Sequence, residues 1–121
     1  MRAYLIDAFA KEVKEIEYKP ELGYKQTYDL LSTPVMKVDC FDLVQFNKAK
    51  DAIFVDDTGL CYDGEVKQEF FTISGYPSPL AGNGLVTGLD EKGDIAPPTV
   101  SLKWLQANIS FLSMDEAFKQ G

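Results

Sequence analysis

Residues 75–90 read GYPSPLAGNGLVTGLD, a stretch with four glycines and two prolines in a chain that is otherwise regularly patterned. Such density marks either a conformationally demanding turn or a surface that a ligand or another backbone approaches closely. The flanks favour a sheet. Phe70-Phe71-Thr72-Ile73-Ser74 enters the stretch as a strand, and Gly84-Leu85-Val86-Thr87-Gly88 has the apolar, β-branched centre of a short second strand. Binding is then confined to the Leu80–Gly84 turn, with Tyr76 offering a ring beside it. The candidate binding residues here are Tyr76, Leu80, Gly82, Asn83 and Gly84.

Upstream, Ala52-Ile53-Phe54-Val55 and Leu60-Cys61-Tyr62 flank Asp56-Asp57-Thr58-Gly59, which reads as a hairpin with an acidic tip. Asp56 and Asp57 join the candidate binding surface. Residues 2–9 are rich in strand formers and read as a buried first strand. Val13, Ile16 and Tyr18 among Lys and Glu suit a solvated edge strand or a short helix, and Pro20 ends either. Residues 21–32 carry apolar and aromatic side chains at helical spacing, with Pro34 beyond. Alternation over 35–41 predicts a strand burying Met36, Val38 and Cys40, and residues 42–50 are less regular.

Downstream, residues 90–94 form a solvated acidic turn, and Pro97-Pro98 stops strand pairing. Thr99 or Ser101 caps a short helix through Leu105, with Trp104 assigned to the core. A last strand covers 107–112, and 114–121 reads as a frayed helical turn or tail. The expectation is one α+β domain over residues 1–121. Its mixed or mainly antiparallel sheet has about five to seven strands, with one or two short helices on a face.

Composition narrows the chemistry. The chain has no histidine, which removes Ser-His-Asp and Cys-His nucleophilic machinery and every histidine-containing metal site. Residues 1–50 hold eight basic and eight acidic side chains, and residues 51–121 hold four and eleven, so the net charge of −7 arises in the second part. That field repels phosphate backbones, so direct nucleic-acid binding is not expected, whereas a basic protein partner is allowed. Apolar runs are only a few residues long, so neither a membrane span nor a secretory signal is expected, and the setting reads as cytoplasmic. Cys40 and Cys61 form no Cys-x-x-Cys pair and read as free thiols.

Familiar ligand motifs fail on spacing. Gly82-Asn83-Gly84 with Gly88 gives G-x-G-x-x-x-G, followed by an acidic turn where a dinucleotide fingerprint needs a helix, and no Gly-Lys-Ser/Thr exists for a phosphate loop. Asp56, Asp57, Asp63 and Glu65 do not match a calcium-loop pattern. No cofactor, metal or catalytic residue is therefore assigned.

The order Asp56-Asp57-Thr58-Gly59-Leu60, then Phe70 to Gly88, then Asp90-Glu91-Lys92-Gly93-Asp94, resembles small proteins encoded by bacteriophages and mobile elements and known only as a domain of unknown function. The resemblance is longest across residues 52–112. It implies a phage-like accessory protein in a bacterial host cytoplasm, and carries no functional residues with it. The leading expectation is a non-enzymatic module that binds a host protein or small molecule through the glycine-rich segment and the Asp56-Asp57 hairpin. The alternatives are a small carboxylate-based or nucleotide-processing enzyme, and an acidic nucleic-acid mimic that occupies a host defence enzyme. Homodimerisation through a strand edge is a further option.

Overall fold

The computed structural model describes residues 1–34, 37–38, 40–47, 50–56 and 68–120. The fold is α+β, as expected, and every strand pairing among these residues is antiparallel. The strands are β1 (Arg2–Asp7), β2 (Glu12–Glu17), β3 (Phe41–Asn47), β4 (Asp51–Asp56), β5 (Phe70–Ile73), β6 (Leu80–Ala81), β7 (Gly84–Leu89), β8 (Ile95–Ala96) and β9 (Ile109–Leu112). The helices are α1 (Tyr24–Leu31), α2 (Leu102–Asn108) and α3 (Met114–Gln120), with a 3-10 turn at Pro20–Leu22.

Six strands form one sheet in the order β2-β1-β7-β4-β3, with β8 pairing to the far end of β7, and a smaller sheet has the order β6-β5-β9. Side-chain alternation sorts the larger sheet into two faces. Tyr4, Ile6, Val44, Phe46, Ile53, Val55 and Val86 point to one face, where they pack with Phe71, Ile73, Leu80 and Ile109 of the smaller sheet and Leu105 of α2. Ala3, Phe54 and Leu85 point to the other face, where Tyr18 and Leu31 cover them from the α1 side. The smaller sheet turns Phe70, Ala81 and Leu112 outward against Ala117 of α3. The glycine-rich stretch thus supplies β6 to one sheet and β7 to the interior of the other.

Several elements follow local signals. β1 is interior, between β2 and β7, and its central residues are buried. β2 is a sheet edge, where Glu12, Lys14, Glu15 and Glu17 are exposed, and such charges discourage edge-to-edge pairing. The strand reading of 13–18 prevails over the helical one because Val13 and Ile16 pair with Ile6 and Ala3 of β1. Ser101 caps α2 by accepting the Trp104 N–H at 3.0 Å, which satisfies one of the helix's orphan donors.

Three expectations are corrected. Cys40 is exposed, not buried, while Val38 is buried as expected and Met36 lies outside the described residues. The segment read as irregular after Asp42 is strand β3, whose register shifts at a bulge between Gln45 and Asn47, and that break blurs the alternation. The hairpin expected between residues 52–55 and 60–62 is not among these, because 60–62 lie outside the described residues; β4 itself pairs with β3 and β7. Trp104 also differs: it is 36% exposed and stacks on Phe46, with ring centroids 6.0 Å apart.

Candidate functional site

The candidate binding residues nominated from the sequence have distinct places in this fold. Leu80 belongs to the core between the sheets, and Tyr76 is half-buried against the same core. Asn83 is 6% exposed, and its Oδ1 accepts the Ala8 N–H at 3.1 Å, tying the turn after β1 to the start of β7. Gly82 takes a positive φ of 78° and lies against Thr33 and Gln68. Gly84 pairs with both Ile6 and Val55, and Asp56, the last residue of β4, is buried one position beyond Val55. Asp57 lies outside the described residues. The structure therefore brings Asp56, Asn83 and Gly84 together at one end of the sheet, as buried neighbours rather than as a solvent-facing loop.

Gly84 illustrates why. A Cβ there would stand 2.9 Å from both Ile53 Cγ2 and Phe71 Cζ, in the seam between the two sheets. Gly84→Ala is expected to lower stability by about 1–3 kcal/mol through overpacking, measured by urea unfolding. An unchanged midpoint would mean that the seam has room which this packing denies.

An open cleft lies on the opposite face of the larger sheet, where α1 leaves part of it uncovered. Its volume is ≈ 470 Å³. One wall comes from the segment leading into α1: Tyr18, Pro20, Gly23 and Tyr24. The sheet contributes Leu43 and Phe54, partners across β3 and β4, and Leu89 and Ile95, partners across β7 and β8. Gly93 and Asp94, from the turn before β8, complete it.

Local contacts hold these walls in place. Gln26 grips Lys19 from both sides, accepting its N–H at 3.2 Å and donating to its carbonyl at 3.0 Å, which ties the segment after β2 to α1. The buried Tyr18 hydroxyl is hydrogen-bonded to Thr27 Oγ1 at 2.8 Å, which fixes the segment leading into α1 against the helix. Tyr24 and Tyr28, four residues apart on one helical face, both pack on Phe41, and Phe41 meets Phe54 edge-on at 5.1 Å. Asp90 Oδ1 accepts the N–H groups of Lys92 and Asp94 at 2.8 and 2.9 Å, and this closed turn sets the position of Asp94.

No protein-family model, curated protein or solved structure matches the chain. The cleft leaves large apolar groups in water: Tyr24 is 58% exposed and Leu43 41%. Among the described residues no group of three or more metal-ligating side chains converges, and no helix is long and apolar enough to cross a membrane.

The cleft residues were visible in the sequence only in part. Tyr24 stands out as an aromatic position of a helix, and residues 90–94 as an acidic turn, but nothing local says that both flank one cavity. The pairing of β3 with β4 and of β7 with β8 brings them together, and that is a long-range property. Asp51 was also missed. It is fully buried, and its carboxylate accepts hydrogen bonds from Thr99 N–H, Thr99 Oγ1 and Val100 N–H at 2.8, 2.6 and 3.1 Å.

Proposed function

We propose that this chain is a non-enzymatic binding module and that the cleft beside Tyr24 and Leu43 receives an apolar or aromatic group, either of a small molecule or of a partner protein's side chain. The observation that supports this reading is the concave, largely apolar wall beside α1, with Tyr24 and Leu43 exposed on it. Concave apolar sites with a few polar groups are the usual form of small-ligand pockets. The paired-carboxylate chemistry of glycoside hydrolysis needs two acids facing one substrate, and among the described residues the cleft wall holds one, Asp94. The glycine-rich segment supports the site indirectly, by building β7, from which Leu89 reaches the cleft.

Titration of ¹⁵N-labelled protein with p-cresol and with indole, followed by amide shifts, tests the reading. Saturable shifts are expected at Gly23, Tyr24, Leu43, Leu89 and Ile95, with affinities of about millimolar for fragments of this size. Leu43→Glu, at an exposed strand position, is expected to weaken binding at least about tenfold while the melting temperature stays within about 2 °C. Shifts scattered over the surface, or unchanged by Leu43→Glu, would end the proposal.

A further inference from the structure

We infer that the ligand of this cleft is an organic cation with an alkylated head, of the quaternary or N-methylated ammonium class; the inference rests on the cleft being the binding site. Three rings line the cleft: Tyr24, which is exposed, and Tyr18 and Phe54, which are buried and form its floor, with Phe41 packed on Tyr24 and Phe54. Aromatic faces attract a cation through their quadrupole, and aromatic-lined cages are a general solution for alkylated ammonium groups. Among the described residues the cleft wall carries one charged side chain, the carboxylate of Asp94, and no lysine or arginine. Among the described residues Asp94 takes part in no ion pair; its backbone is held by the Asp90 turn while its side chain is exposed.

Competing ligand classes fit less well. An anion would meet a carboxylate and no basic group. Hard metal ions require several oxygen ligands, and this wall offers one carboxylate. A primary ammonium is strongly hydrated and gives up water reluctantly to apolar walls. An alkylated ammonium carries its charge inside a methyl shell, so it can bury apolar area against Leu43, Leu89 and Ile95 while remaining attracted to the rings and to Asp94. The charge of the chain, −7 overall, also favours approach of a cation.

The test compares choline with 3,3-dimethylbutan-1-ol, its uncharged carbon isostere, at matched ionic strength by the same amide-shift titration. Choline is expected to bind about three- to tenfold tighter. Asp94→Asn should remove most of that advantage and leave the neutral isostere unchanged, and Tyr24→Leu should weaken choline more than the isostere. Both positions are exposed, and unchanged amide spectra of the free variants verify that folding is intact. A capped tripeptide with a central trimethyllysine forms a third arm. Tighter binding than choline assigns the cation to a partner protein, weaker binding assigns it to a free small molecule, and each supports the inference when shifts map to the cleft. Equal binding of choline and its isostere would overturn the cationic assignment and leave the cleft as an apolar site. Absence of binding by choline, the isostere, p-cresol and indole would overturn both readings.

Discussion

Asp51→Ala is expected to lower stability by about 2–4 kcal/mol, seen as a reduced urea midpoint with an unchanged slope. Residues 97–100 leave the edge of the larger sheet and cross over β7 and β4 to reach α2 on the face that packs against the smaller sheet. Asp51 stands directly under this crossing, opposite Gly88 in the β4–β7 register. Its two carboxylate oxygens take three donors from Thr99 and Val100, and such charge-assisted bonds are stronger than neutral ones. A second anchor comes from Arg2, whose Nη2 donates to the Pro98 carbonyl at 3.0 Å.

Removing a fully buried carboxylate also relieves its desolvation cost, which acts in the opposite direction. The loss dominates because three donors aimed at Asp51 remain behind with no acceptor, although exposed Thr99 can recover water and so limits the total. Asp51→Asn keeps one acceptor oxygen but turns an amide N–H₂ toward a set of donors, and about half the loss is expected. A fall of less than about 0.5 kcal/mol for the alanine variant would show that the crossing segment is held by packing alone.

Much of the fold was legible because its strongest elements carry local periodicity. The edge character of β2 is written in the charges around Val13 and Ile16, and the start of α2 in Ser101 three residues before Trp104. The strand inside the glycine-rich stretch was legible from Leu85, Val86 and Thr87. What escaped was decided at long range. β3 reads as irregular because a bulge interrupts its alternation near Asn47. Trp104 reads as core from composition, yet the face of α2 toward the sheet is taken by Leu105, and Trp104 stacks from outside on Phe46.

The candidate site was less legible for a physical reason. Glycine density is produced equally by close packing of protein on itself and by close approach of a ligand, and Gly84 and Gly88 are of the first kind. The cleft, by contrast, is assembled from Tyr24, Leu43, Phe54 and Ile95, each of which is unexceptional within its own segment.

Gly88→Ala is expected to cost about 2–4 kcal/mol, the upper part of the overpacking range, and to depend on Asp51. A Cβ at position 88 would collide with the carbonyl oxygen of Pro97 and press on its carbonyl carbon at 3.0 Å. The obstacle is backbone, not the end of a flexible side chain, and it is pinned on both sides: by the Gly88–Ala96 pairing before it, and by the grips of Arg2 and Asp51 on Pro98 and Thr99 after it. Gly93→Ala provides the contrast. Gly93 has a positive φ of 84° but nothing within 4 Å of a new Cβ, so only local backbone strain of about 1 kcal/mol is expected there. If the crossing segment is one clamped unit, releasing it with Asp51→Ala should let Pro97 move aside. Gly88→Ala should then cost about 1–2 kcal/mol less than in the parent, a coupling that a double-mutant cycle in urea measures directly. Strict additivity of the two substitutions would show that Pro97 is held independently of Asp51, by the β7–β8 pairing and Arg2.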